Sequence, residues 1–216
     1  MADAQALGVL GGAFDPVHIG HLRGAIAVRE QLGLERVDLL PAAQSPLKGA
    51  ATVTAADRLA MLEAAVLNVP GLGVDARELS REGPSYTVDT LIELRGEVGQ
   101  ARPLIWIVGT DILPALPKWS RWQQLLDLAH LVILERPGAD SPPLAVTRWL
   151  DQHRIDQSAL LTAAAGGVVT LDQPVLDIAS SDIRALLAAG RDPRFLLPEV
   201  VMEYIESHKL FICETI

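Results

Sequence analysis

The chain has 216 residues and a formal net charge of −9, with half of its residues hydrophobic and about a fifth charged. That is enough for one domain with a sizeable core, and too acidic, without any basic block, to suit long nucleic acid as a partner. The single cysteine, Cys213, excludes an intrachain disulfide, and no basic start leads into a long apolar run, so the reading is a cytoplasmic protein without a secretory signal or a membrane partner.

Short apolar runs alternate with longer amphipathic ones from the first residues to about Glu135. This is the rhythm of parallel strands joined by crossover helices. In chain order the pattern predicts a strand over Ala6–Gly11, a helix over Ile19–Leu32, a strand over Arg36–Ala42 and a helix over Ala55–Asn68 with Thr54 as its N-cap. A strand over Leu72–Ala76 follows, then a helix over Tyr86–Val98 with Ser85 as its cap, and strands over Pro103–Gly109 and Leu131–Arg136. "PGADSPP" (Pro137–Pro143) reads as a loop. Beyond it the pattern predicts a helix near Leu144–His153, a strand near Gly167–Leu171 and helices over Ser181–Ala189 and Pro198–Ser207, which are expected to close the far edge of the sheet. The whole is a doubly wound α/β sheet read as a single domain over 1–216, without internal repeats.

In an open parallel sheet, ligands bind beyond the carboxyl ends of the strands. "GGAFDPVHIGHL" (Gly11–Leu22) occupies that place after the first strand. Gly11 and Gly12 leave backbone N–H groups uncovered, Asp15-Pro16 is a turn signal, and His18 and His21 fall three apart at the start of a helix, on one face and at the positive end of its dipole. Two imidazoles there suit phosphate oxygens; the plain reading is two surface histidines at a helix start, and placement after the paired glycines favours phosphate. A zinc pair is the other chemistry open to H-x-x-H, but no further His or Cys cluster completes a tetrahedral site, so no protein-held metal is expected. The spacing fits neither G-x-G-x-x-G nor G-x-x-x-x-G-K-[ST].

"GGAFDPVHIGH" resembles the H-x-G-H signature of the nucleotidyltransferase superfamily, with His18, Gly20 and His21 at its signature positions. "IASSDIR" (Ile178–Arg184) resembles the I-S-x-[ST]-x-I-R motif of the same superfamily. Within it the chain is most similar to the nicotinate-nucleotide adenylyltransferase family, on "PSYTVDTL" (Pro84–Leu91), "IVGTDILPALPKW" (Ile107–Trp119) with Trp122, and "LVILERPG" (Leu131–Gly138), a likeness spanning roughly Leu7 to Phe211. The resemblance implies a Rossmann-like fold of nucleotidyltransferase type with a small C-terminal helical portion. It also implies adenylyl transfer from ATP to nicotinate mononucleotide, giving deamido-NAD and pyrophosphate, with Mg2+ carried in on the ATP.

The same resemblance implies the site residues. ATP would meet Gly11, Gly12, Ala13, Phe14, Gly20, Lys48, Gly109, Asp111, Ser180 and Ser181, with His18, His21 and Arg184 as the catalytic set around its phosphates. The acceptor would meet Asp15, Tyr86, Thr87, Val88, Trp119 and Arg136, with Trp119 stacked on the pyridine ring and Thr87 with nearby N–H groups reading its carboxylate. Plain readings stand beside several of these: Asp15 as a turn former, Asp111 as a cap, Trp122 as core, and Arg136 as a solvated strand end. The chain departs from the family pattern at Ala13, where Thr or Ser is usual, at Ala179, where Ser is common, and at Leu47, where the P-P-H-K loop has histidine. Other readings of the same pocket are transfer to nicotinamide mononucleotide or phosphopantetheine, and a non-catalytic sensor of adenine nucleotides.

Overall fold

The computed structural model describes residues 6–43, 51–81, 83–135, 138–172 and 176–212. Six parallel strands form one sheet: β1 (Leu7–Gly12), β2 (Arg36–Pro41), β3 (Leu72–Val74), β4 (Leu104–Gly109), β5 (His130–Leu134) and β6 (Val168–Leu171), in the order β3-β2-β1-β4-β5-β6. The helices are α1 (Ile19–Leu32), α2 (Ala55–Val66), α3 (Thr87–Val98), α4 (Leu125–Leu128), α5 (Leu144–Gln152), α6 (Ser180–Ala188) and α7 (Glu199–Ser207). The doubly wound, Rossmann-like reading holds, and β6 pairs in register with β5, Leu131 against Val168, so the sheet continues past the Pro137–Pro143 stretch.

The strands read as unbroken apolar runs because the sheet is covered on both faces. Successive side chains point to opposite sides. Leu10, Val37, Leu39, Ile105, Ile107, Val132 and Val169 pack with the apolar stripes of α1, α2, α6 and α7. Val9, Leu104, Trp106, Val108, Leu131 and Ile133 pack with Val88, Leu91 and Leu94 of α3 and with α4 and α5. Two residues beyond the Leu10–Ile107 pair on the central strands stand Gly12 and Gly109, at the point where strand order reverses. A crevice opens at such a switch point, and the first loops over it are those after β1 and β4.

Helix boundaries have local causes. Gly33 ends α1 in the left-handed conformation (φ 63°), donating its N–H to the carbonyls of Arg29 and Glu30. Thr54 caps α2 as expected, its Oγ1 accepting the Asp57 N–H at 3.1 Å. Ser85 does not cap α3: Tyr86 takes that position, and the buried Ser85 Oγ instead accepts the Ala43 N–H at 3.3 Å. Among the described residues, five elements are absent from the sequence reading: α4 and the 3-10 segments over Arg77–Ser80, Thr110–Lys118, Trp122–Gln124 and Gln157–Thr162. β5 begins at His130 and ends at Leu134, short of Arg136.

Candidate active site

The turn after β1 is packed as tightly as the core. Phe14, Asp15, Pro16, Val17 and His18 are all buried. Gly11 has no room for a side chain, since a Cβ there would lie 2.6 Å from the Trp106 ring of β4. A Cβ on Gly12 would come to 3.0 Å of the Phe14 ring, and one on Gly20 to 3.1 Å of His18 Nδ1. Trp106 thus excludes a side chain at Gly11, while Phe14 and His18 leave only tight room at Gly12 and Gly20, and bare backbone at the strand end is the result. Phe14 holds φ 48°, a region that non-glycine residues occupy only where their surroundings impose it.

His18 is itself the N-cap of α1. Its Nδ1 accepts the His21 N–H at 3.4 Å, and His21 Nδ1 accepts the His18 N–H at 3.3 Å, a reciprocal capping box built from two imidazoles. Each ring reaches across to the other's backbone, so the rings stack, with centroids 3.6 Å apart and planes 23° from parallel. Phe14 meets His21 edge-on at 4.9 Å and fixes the outer side of that stack. Because both Nδ1 atoms accept, the hydrogen-bond pattern assigns the ring hydrogen of each to Nε2, which makes Nε2 the donor.

The C-terminal motif comes to the same turn. Arg184 Nη1 donates to the Asp15 carbonyl at 2.6 Å and lies 3.8 Å from Asp15 Oδ2, across 169 positions of sequence. Ser180 Oγ donates to the Pro16 carbonyl at 3.0 Å. Asp15 is 6% exposed; Oδ2 accepts the Thr52 N–H at 2.8 Å, while Oδ1 is buried without a hydrogen-bond partner. Two histidines, one arginine, a helix amino terminus and the half-buried backbone of Gly11–Ala13 thus surround one strand end, an arrangement suited to an anion of several charges.

The family profile described as cytidylyltransferase-like matches residues 9–186. Two relatives carrying the name "Probable nicotinate-nucleotide adenylyltransferase" are each 45% identical to the chain. That of Pseudomonas putida (strain W619) aligns over 215 residues, 98% of both chains, and that of Pseudomonas aeruginosa (strain UCBPP-PA14) over 208 residues, 96% of this chain and 97% of its own. This chain belongs to the nicotinate-nucleotide adenylyltransferase family. Nicotinic acid mononucleotide adenylyltransferase of Plasmodium falciparum, solved in complex with NaAD, shares the fold with a TM-score of 0.74 over 96% of this chain and 97% of that one, at 17% identity.

In this member of the nicotinate-nucleotide adenylyltransferase family the other expected residues divide by position. Gly109 ends β4, and Asp111 is exposed in the first turn of the 3-10 segment beyond it. Tyr86 and Thr87 stand at the amino end of α3, which the Ser85–Ala43 bond ties to the loop after β2. Val88 is fully buried against Leu91 and Leu94, so its side chain belongs to the core and only its backbone faces the helix end. Trp119 is partly buried beside the same core, and Trp122 packs edge-on to Trp149 at 4.9 Å. Ser181 is exposed, with its hydroxyl 3.4 Å from Asp182 Oδ1, and Ser180 is the one of the pair tied to the turn. Lys48, Arg136 and Cys213 lie outside the described residues.

Arg58 escaped the sequence reading. The buried stripe of α2 runs through residues 58, 61, 62, 65 and 66, so an arginine occupies a core position of an amphipathic helix. That misplacement is the signal that would have found it. Its guanidinium donates to the carbonyls of Ala13 at 2.7 Å, Ala42 at 2.8 Å and Ala43 at 3.2 Å. Burial pulls its pKa below the ordinary arginine value, with the Asp15 charge opposing, and arginine stays protonated through such a shift.

Proposed function

We propose that the turn after β1, the amino terminus of α1 and Arg184 of α6 form the polyphosphate site of an adenylyltransferase that moves the AMP group of ATP onto nicotinate mononucleotide. An oxygen of the acceptor's 5′-phosphate attacks the α-phosphorus, the bond from that phosphorus to the bridging oxygen of pyrophosphate breaks, and the products are deamido-NAD and pyrophosphate. The nucleophile is already an anion, so alignment and charge stabilisation supply the catalysis and no protein base is needed. The observation that carries the reading is the meeting of Arg184 with the histidine turn, the 2.6 Å bond to the Asp15 carbonyl joining motifs from opposite ends of the chain.

In this reading His18 and His21 donate through Nε2 to the ATP phosphates, Gly11, Gly12, Ala13 and Phe14 offer backbone, and Arg184 takes the leaving phosphates through its fork of N–H groups. Gly20 allows the close approach of His18; Gly109 and Asp111 face the nucleotide from β4, with Ser180 and Ser181 at the start of α6. Lys48 would add a point charge toward the phosphates. Asp15, Tyr86, Thr87, the Val88 backbone and Trp119 line the acceptor side, and Arg136 is assigned to the acceptor by the family resemblance alone. Among the described residues no group of three or more His, Cys, Asp or Glu is arranged to hold a metal ion. Magnesium would be held mainly by phosphate oxygens and water, with Asp15 Oδ1 as the acceptor the turn offers nearby. When bound, the ion neutralises charge on the departing pyrophosphate. The chain acts as one cytoplasmic nucleotidyltransferase domain over residues 1–216.

Incubation with ATP, magnesium and nicotinate mononucleotide is expected to release pyrophosphate, faster than with nicotinamide mononucleotide or phosphopantetheine. Calorimetric binding of ATP without pyrophosphate release for any of the three acceptors would replace this reading with that of a nucleotide sensor.

A further inference from the structure

We propose that Arg58 is a positioning residue of the polyphosphate site, orienting the peptide group that the turn presents to ATP. The proposal rests on the reading of that turn as the ATP site and deepens it. Arg58 is 2% exposed and its Nη1 and Nη2 donate to three carbonyls, one after β1 and two after β2, so it joins the two loops at the ligand end of the sheet, while its buried Nε makes no hydrogen bond. The Ala13–Phe14 peptide is trans, since the cis bond among the described residues is Asp15-Pro16. In a trans peptide the N–H points opposite to the C=O. With the Ala13 carbonyl drawn inward to Arg58 at 2.7 Å, the Phe14 N–H is turned away from the interior. Phe14, the residue whose N–H belongs to this peptide, carries a left-handed φ of 48°, and its ring in turn meets His21 edge-on. Arg58 therefore acts through Phe14 on the donor set, and it adds a desolvated positive charge behind the peptide groups.

A second buried arginine separates this role from scaffolding. Arg95 of α3 is 5% exposed and donates to the carbonyls of Gly99, Arg102, Leu128 and Ala164, which lie before β4, β5 and β6 at the opposite end of the sheet. It ties loops together as Arg58 does, but far from the histidine turn. Lysine at either position keeps the charge and loses the fork that spans several carbonyls.

The test compares Arg58→Lys with Arg95→Lys in thermal unfolding and in steady-state kinetics on both substrates. Both variants are expected to unfold at lower temperature. Arg58→Lys is expected to raise KM for ATP by about tenfold or more while KM for nicotinate mononucleotide stays within about twofold, and Arg95→Lys to leave both within about twofold. An ATP KM unchanged in Arg58→Lys, or raised alike in both variants, overturns the proposal. Should Arg58→Lys fail to fold, amide resonances of the unaltered chain decide during titration with a non-hydrolysable ATP analogue. The Phe14 amide is expected to shift together with those of His18 and His21. Shifts at the histidines with Phe14 unmoved overturn the positioning role alone, and no shift at any of the three removes the ATP site itself.

Discussion

His18 does two things that a substitution can separate. Its Nδ1 caps α1 by accepting the His21 N–H, and its Nε2 is the donor assigned to phosphate. Loss of a side-chain N-cap costs about 1 kcal/mol, whereas loss of one preorganised donor at a site of developing charge costs about a hundredfold in turnover. His18→Ser keeps an oxygen able to cap the helix and His18→Ala does not. Both variants are expected to lose about a hundredfold in kcat/KM, with the alanine variant about 1 kcal/mol less stable than the serine one by urea unfolding. Normal turnover in His18→Ser would show that the ring serves only the helix. At this scale the paired histidines and Arg184 were legible from spacing and resemblance, and so was the turn they share. The reason for Gly11 was not, because it lies in Trp106, ninety-five positions later and on another strand. Arg58 stayed hidden because periodicity is read from apolar residues, and a charged residue at a stripe position breaks the pattern instead of announcing itself.

Among the elements, the central strands were the most legible, since burial on both faces leaves runs such as "LIWIV" without polar interruption. Ends were less so: β3 stops at Val74 and β5 at Leu134 where pairing with the neighbouring strand runs out, which no residue of the strand itself marks. The segment Thr110–Lys118 contains Pro114 and Pro117, which remove N–H donors and forbid a continuous α-helix. A 3-10 path accommodates both prolines and still buries Leu113 and Leu116. It also carries the chain from Gly109, at the crevice, to Trp119. The segment that carries Trp119, which the proposed function puts on the acceptor side, is thus an element whose existence depends on packing instead of on local propensity.

At the scale of the whole molecule, Arg58, Arg95, Arg184 and His130 anchor loops at the ends of the sheet through main-chain hydrogen bonds. His130 is 1% exposed, its Nδ1 accepting the Gly167 N–H at 3.0 Å and its Nε2 placed 2.8 Å from the Ala163 carbonyl. Desolvation, with the Arg95 charge adding to it, pulls its pKa below the ordinary histidine value despite the opposing bond to the Ala163 carbonyl. The sign follows from linkage. The unfolded chain takes up a proton near pH 6.5 and the folded chain does so only at lower pH, so stability is full above about 6.5 and falls as pH drops below it, by up to about 1.4 kcal/mol per pH unit. Urea unfolding between pH 7.5 and 5.5 is expected to show this loss in the unaltered chain and a shallower one in His130→Gln. Equal slopes would mean that this contact is not a pH-dependent part of the fold.

The central claim is that the histidine turn and Arg184 hold the triphosphate. A crystal structure with a non-hydrolysable ATP analogue and nicotinate mononucleotide measures it directly. The account predicts phosphate oxygens within hydrogen-bond reach of the His18 and His21 rings and of the Arg184 guanidinium, with the α-phosphorus facing the acceptor phosphate. A triphosphate bound away from this turn would contradict it.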